Sequence, residues 1–285
     1  MSEATATTTD LTRFAAQVRG LVLKMLHGLG YGHFGGSLSI VEALAALYGR
    51  EVRHDPANPA WDERDYVVLS KGHGAPALYA TLALRGFMPV EKLFTLNANG
   101  TDLPSHADRN KVEGVEMTTG SMGQGISVAA GIAYGLKADG RSNRVYCIVG
   151  DGELNEGQCW EAAQFIARNN LHNLVLLVDD NKRQLDGWTT DISGTANFTG
   201  KFAAFGFHAE SVPGQDAEAI AAALARAREV TDAPTVLVLD TVKGAGVPYI
   251  AELKDNHHVR LDAVGKAAVA EAMAQLQAEL EGADR

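Results

Sequence analysis

The sequence predicts an α/β fold, with a mainly parallel sheet covered by helices on both faces. Three observations carry this. Residues 144–149 and 174–178 are short apolar runs, the first rich in β-branched types, as strands buried on both faces require. Between them, Trp160, Ala163, Phe165, Ile166 and Ala167 recur at helical spacing over residues 156–170, which makes a strand–helix–strand unit. Polar turns carrying Gly, Asp, His or Lys follow each apolar run, where α/β sheets collect their ligand-binding groups. With 285 residues and 46% apolar composition, the chain can bury the core of one large domain over residues 11–285.

In chain order, residues 1–10 are Thr/Ala-rich without periodicity and are expected to be disordered. Leu11, Phe14, Val18, Leu21, Val22, Met25 and Leu26 mark an amphipathic helix. It is expected to stop in residues 28–36, where five of nine residues are glycine, with His33 in a loop. Ser39 with Glu42 three positions on reads as a capping box that restarts a helix. Residues 53–65 read as surface loop and 66–69 as a strand ending in Ser70-Lys71-Gly72-His73-Gly74; a helix with Leu78, Leu82 and Leu84 follows. Residues 118–125 open a helix over 126–138. Beyond the central unit, residues 188–215 show no clear element, 216–230 form an Ala/Arg/Glu helix, 235–239 a strand, and 261–280 a closing helix.

The central unit has a chemical peculiarity. Gly150-Asp151-Gly152 turns from a strand into a helix, a site where free backbone N–H groups and the helix dipole favour phosphate. Asp151, Glu153 and Glu156 would repel a bare diphosphate. A divalent cation between carboxylate and phosphate oxygens resolves the conflict, and Asp, Asn and a carbonyl suit magnesium. Asp151 and the Asp179-Asp180-Asn181 turn lie at the ends of neighbouring strands and can share one crevice. A dinucleotide turn with Asp179 on a ribose is the alternative, but its fingerprint wants a small residue where Asn155 stands.

Gly150-Asp151-Gly152-Glu153-Leu154-Asn155-Glu156-Gly157, with Asp180-Asn181-Lys182 and Leu185-Asp186-Gly187, resembles the thiamine diphosphate-binding half of a transketolase. His33-x-Gly-Gly-Ser, Lys-Gly-His73, Thr-Thr-Gly120-Ser-Met122-Gly-Gln-Gly and Thr241-Val-Lys243-Gly-x-Gly extend the resemblance over residues 11–260. It implies the thiamine diphosphate-binding fold, and it implies roles. Asp151 and Asn181, with the backbone carbonyl of Arg183, would bind Mg2+ or Ca2+. Gly150, Gly152, His73 and Lys243 would hold the diphosphate, and Gly120 and Met122 would position the cofactor rings. His33, His106 and His258 would face the sugar, and Glu156 would reach toward an activating carboxylate in a partner domain. The family's last histidine stands before Gly-x-Pro, which is missing here; spacing favours His258 over His257, and His258 would also touch the diphosphate.

A net charge of -10 and a pI near 5.4 exclude nucleic acid and anionic membrane surfaces as partners. No apolar run reaches the roughly 18 residues of a membrane span, and the N-terminus lacks a signal-peptide pattern, so the expected location is the cytoplasm. Cys147 and Cys159 read as core thiols. The resemblance implies the N-terminal subunit of a split transketolase, acting on sugars or sugar phosphates with a C-terminal, pyrimidine-binding subunit in an α2β2 assembly. The alternatives are the cofactor-binding chain of another thiamine enzyme, such as a 2-oxoacid dehydrogenase or deoxyxylulose phosphate synthase, and a cofactor-binding subunit without activity.

Overall fold

The computed structural model describes residues 9–194 and 197–282. The chain runs α1 (Leu11–Leu29), β1 (Tyr31–Gly32), α2 (Phe34–Leu38), α3 (Val41–Ala46), β2 (Tyr66–Leu69), α4 (Ala75–Leu84), α5 (Gln124–Ala138) and β3 (Val145–Gly150). It continues with α6 (Gly157–Arg168), β4 (Leu174–Asp180), α7 (Thr189–Ser193), α8 (Phe198–Ala204), β5 (His208–Pro213) and α9 (Ala217–Glu229). Last come β6 (Thr235–Asp240), α10 (Pro248–Glu252), β7 (Val259–Arg260) and α11 (Ala263–Gly282).

Five strands form one parallel sheet in the order β2-β3-β4-β6-β5, and β1 pairs with β7 in a small antiparallel ribbon. Successive residues of a strand face opposite sides, so the sheet feeds two cores. Tyr146, Ile148, Val175, Leu177, Leu237 and Leu239 enter the core built with α1, α3, α4 and α9. Val145, Cys147, Val149, Leu174, Leu176 and Val178 enter the other, against α5, α6 and α8. Every residue of β3 is buried, which is why its sequence is continuously apolar rather than alternating. The thiols of Cys147 and Cys159 are free and buried.

Three expectations need correction. Helix α1 stops inside the glycine-rich run as expected, at Leu29 with Gly30 at φ 82°, but the rest of the run is not a loop: after the β1 ribbon, His33 occupies the N-cap position of the short α2. Ser39 is not the N-cap of α3: it is the C-cap residue of α2, and its hydroxyl donates to Asp179 Oδ2 at 2.7 Å, while Glu42 pairs with Arg19 Nη2 at 2.7 Å. Residues 188–215 contain α7, α8 and the edge strand β5, whose polar, half-exposed pattern hides it from a search for apolar runs. Met1–Thr8, to which most of the expected disorder applies, lie outside the described residues, whereas Asp10 caps α1 through Arg13 N at 3.0 Å.

Candidate active site

The carboxyl ends of β2, β3, β4 and β6 lie side by side, and each delivers polar groups to one crevice. From β2 come Lys71 and His73, the latter in a tight turn, Gly72–Gly74. Asp151 follows β3, Asn181 and Arg183 follow β4, and Thr241 and Lys243 follow β6. A cavity of about 190 Å3 opens there, lined by Lys71, His73, Asp151, Asn181, Lys243 and His257 among others. A Cβ on Gly72 would stand 2.7 Å from the Thr119 backbone, so only glycine lets the turn after β2 dock on the loop before α5.

Beneath the cavity, Asp179 is fully buried. It accepts from Ser39 Oγ at 2.7 Å and Asn181 Nδ2 at 2.8 Å, and also from Lys71 Nζ and Thr241 Oγ1. Burial alone would push its carboxyl upward, but the Lys71 ammonium and these hydrogen bonds hold it below the usual range. Lys71 is itself 1% exposed, so the two charges compensate each other in the interior. The sequence offers Asp179 as part of the turn sharing the crevice or as an alternative ribose ligand and Ser39 only as a helix cap, and it marks no role for Lys71 or Thr241. An acid closing a strand buried on both faces was the available signal.

Asp151 and Asn181, thirty residues apart, both border the cavity with Arg183. Asp151 accepts from Thr189 Oγ1 at 2.8 Å and Gly152 N at 2.9 Å. Burial first, then the charge of Asp179, raises its carboxyl to about 7. Asn181 Oδ1 accepts from Arg183 N at 3.1 Å, and the Arg183 carbonyl from Lys243 Nζ at 3.3 Å. Lys182 between them has φ 70°, a left-handed turn costing about 1–2 kcal/mol. A carboxylate short of counter-charge, an amide oxygen and a carbonyl form a hard oxygen donor set, which fits a magnesium-like ion completed by phosphate and water. No cluster of three or more His, Cys, Asp or Glu that could hold a metal ion occurs among the described residues, in keeping with a set that has one carboxylate.

The acidic turn is less acidic than its sequence. Glu153 bends inward, where its carboxylate accepts from Ser70 Oγ at 2.5 Å, Gly123 N at 2.9 Å and Gly150 N at 3.1 Å; it ties the loop before α5 to the turn after β3. Glu156 is exposed at the N-cap of α6 and makes no side-chain capping bond. Only Asp151 of the three offers a carboxylate to a cation here.

Five histidines gather at the cavity mouth. The His33 ring centroid lies 5.6 Å from His73, 5.2 Å from His106, 5.4 Å from His257 and 4.8 Å from His258. Burial, followed by the neighbouring histidines His257, His106 and His258, lowers His33 to about 3. Burial and then Lys243 lower His257 to about 4, and burial and then Lys71 drive His73 well below its usual value. His106 is also lowered by burial. The cluster is therefore neutral at pH 7 wherever a shift is resolved. His257 and His258 have different surroundings. His257 lines the cavity, with its Nδ1 3.4 Å from Lys243 Nζ and its ring 4.6 Å from His73. His258 is exposed, turned toward His33 and Tyr31.

Met122 borders the cavity and remains 51% exposed, and Leu185 beside it is 62% exposed. Gly120, with φ 144°, borders a neighbouring cavity of about 370 Å3 together with His106. Lys243 is 3% exposed, and burial and then Lys71 lower it to about 8. The arrangement offers cations and imidazoles for an anionic group, an oxygen set for a metal and an apolar rim for rings.

Residues 11–279 match the family described as transketolase, thiamine diphosphate binding domain. The chain belongs to the transketolase family. It is 47% identical over 263 residues to the 6-deoxy-6-sulfo-D-fructose transketolase subunit SqwG of Clostridium sp. (strain MSTE9), covering 92% of this chain and 96% of that one. It is 39% identical over 227 residues to an apulose-4-phosphate transketolase subunit from Actinobacillus succinogenes, covering 80% and 82%. Transketolase from Campylobacter jejuni superposes with a TM-score of 0.85 at 29% identity, over 94% of this chain and 43% of that one. Transketolase from Pichia stipitis does so with a TM-score of 0.83 at 28% identity, over 96% and 45%. The chain thus spans under half of these solved transketolases and most of the length of the subunit-sized relatives. It is the N-terminal subunit of a split transketolase, a thiamine diphosphate-dependent transferase.

Proposed function

We propose that this subunit moves a two-carbon ketol unit from a ketose donor to an aldose acceptor, using thiamine diphosphate and Mg2+ or Ca2+, together with a C-terminal, pyrimidine-binding subunit. The observation that carries the reading is the single cavity shared by Asp151, Asn181, His73, Lys243 and His257. Bound thiamine diphosphate supplies the electron sink such a transfer needs. This chain's residues hold and orient. Asp151, Asn181 and the Arg183 carbonyl take the metal; Gly150, Gly152, His73, His257 and Lys243 receive the diphosphate; Gly120 and Met122 set the rings. His33, His106 and His258 meet the sugar as hydrogen-bonding groups, and the neutral rings of His33 and His106 can donate at one nitrogen and accept at the other.

The relatives' names specify a sulfo-sugar and a sugar phosphate, which supports a substrate carrying a terminal anion. Two of each chain form the assembly in this reading, with the exposed Glu156 facing the partner. Free thiols and sugar-phosphate chemistry accord with the cytoplasm. The test is ketol transfer from xylulose 5-phosphate or 6-deoxy-6-sulfofructose by each chain alone and by the mixture, with and without a chelator. Full activity from this chain alone, or activity indifferent to chelation once cofactor is removed and restored, would defeat it.

A further inference from the structure

We infer that Asp179 is a positioning residue: its carboxylate decides which way round the Asn181 amide sits and so turns that side chain's oxygen toward the metal. This rests on the reading of Asn181 as a metal ligand. The two ends of an Asn amide are nearly equal in shape, so packing alone does not select between them, and only the oxygen can ligate. An ionised carboxylate accepts hydrogen bonds and cannot donate. With Asp179 Oδ2 at 2.8 Å, the Asn181 NH2 must face it. The oxygen then points away and accepts from Arg183 N at 3.1 Å, with a lone pair left over.

Asp179 is fixed independently of Asn181. Ser39 ends α2, Lys71 follows β2 and Thr241 follows β6; all three donate to its carboxylate. Its backbone carbonyl also accepts from Asp151 N at 3.2 Å. One residue therefore ties down both proposed metal-binding side chains, one through its main chain and one through its carboxylate. Lys71 Nζ, Ser39 Oγ and Asn181 Nδ2 all donate to Oδ2, and Thr241 Oγ1 to Oδ1, so Asp179→Asn keeps an oxygen facing Asn181 whereas Asp179→Leu removes it. In Asp179→Leu the buried Lys71 ammonium loses its carboxylate, and the Asn181 oxygen, the acceptor beside it, turns inward and leaves its NH2 to the metal.

The experiment uses the full chain co-expressed with its partner subunit, in the presence of thiamine diphosphate. Mn2+ binding is followed by the electron paramagnetic resonance signal of the free ion, with thermal unfolding of the ligand-free protein alongside. Asp179→Leu should weaken Mn2+ about 10- to 100-fold, as loss of an outer-shell partner typically does, and Asp179→Asn far less. The exchange D179L/N181D restores a charge beside Lys71 and offers the metal an oxygen in either orientation, so it should recover binding to near the wild-type level even where the unfolding temperature stays low. Unchanged Mn2+ affinity in D179L, or equal weakening in D179L and the double variant, would overturn the inference and leave Asp179 a purely structural charge. Should D179L fail to fold, D179N and the double variant decide: near-wild-type Mn2+ binding in both supports the inference and loss in either refutes it. Wild-type Mn2+ affinity in N181A would instead remove the ligand assignment on which the inference stands.

Discussion

Gly36 lies in α2 against the ring of His73, and a methyl group there tests whether that imidazole must sit where it does. A Cβ on Gly36 would come within 2.6 Å of His73 Nε2 and 2.7 Å of Cδ2, against ordinary contact at 3.4–4 Å. The ring must withdraw by the better part of an ångström. It has little room, since His33 and His257 pack on it at 5.6 and 4.6 Å between centroids. Overpacking of this kind costs about 1–3 kcal/mol, a drop of roughly 2–10 °C in unfolding temperature at this chain length. A displaced His73 would also forfeit the bond to the diphosphate proposed for it; a charge-assisted bond worth about 1.5–3 kcal/mol predicts cofactor affinity lower by roughly ten- to a hundredfold. Gly131→Ala in α5 is the control, because its Cβ would meet nothing within 4 Å and should stabilise the chain by about 0.5–1 kcal/mol. Calorimetric unfolding and titration with thiamine diphosphate at saturating magnesium read both effects. A Gly36→Ala subunit with unchanged stability and affinity would refute the contact, and normal affinity with lowered stability would take His73 out of the diphosphate site.

Further outcomes follow from the same geometry. Asp151→Asn, or chelation of the wild type, should abolish measurable thiamine diphosphate binding in calorimetry, and tight binding in excess chelator would end the metal assignment. His257→Ala should weaken the cofactor while His258→Ala mainly raises the KM for sugar; the reverse pattern in steady-state kinetics would exchange their roles. Acid should destabilise the fold early: the native values of His33, about 3, and His257, about 4, lie below the unfolded 6.5, so the unfolded chain binds more protons throughout that window. Stability is then full above about pH 6.5 and lost as pH falls toward 3–4, and an unfolding temperature flat from pH 6.5 to 4.5 would contradict it. Glu156→Ala should leave this chain's own unfolding unchanged but weaken co-purification with the partner subunit, whereas a loss confined to the isolated chain would make it only a helix-terminus charge, worth about 0.3–1 kcal/mol.

What could be read without coordinates follows burial. Strands β2, β3, β4 and β6 are flanked on both faces, so their sequences are continuous apolar runs, and their ends were legible to within two residues. Strand β5 pairs along one edge only and carries His208, Glu210 and Ser211, a pattern indistinguishable from loop. Ser39 shows how a local rule fails: Ser-x-x-Glu is a sound helix-start pattern, yet both partners are drawn off by distant charges, Asp179 and Arg19. Tertiary electrostatics overrode a preference worth about 1 kcal/mol.

Most residues that line the cavity were legible and their supports were not, for a physical reason. The lining residues sit mostly in turns after strands, where Gly, Asp, His and Lys stand out against apolar flanks. Supports such as Lys71 and Asp179 are adjacent only after β2 and β4 are laid either side of β3, and 108 residues separate them. Nothing local marks them as a pair; each is merely a charge at the edge of a buried run. A buried charge without compensation is costly enough that its counter-ion can be demanded in advance, although the sequence does not say which one. For Asp179, a residue with no exposure, the candidates were the cations that follow β2 and β6, Lys71 and Lys243. Sheet order alone favours Lys243, since β6 pairs with β4 and β2 does not, yet Lys71 reaches the carboxylate from below the cavity while Lys243 turns to the Arg183 and Gln184 carbonyls at its rim. One lysine is thereby consumed by the fold and the other is left facing the space a diphosphate would fill.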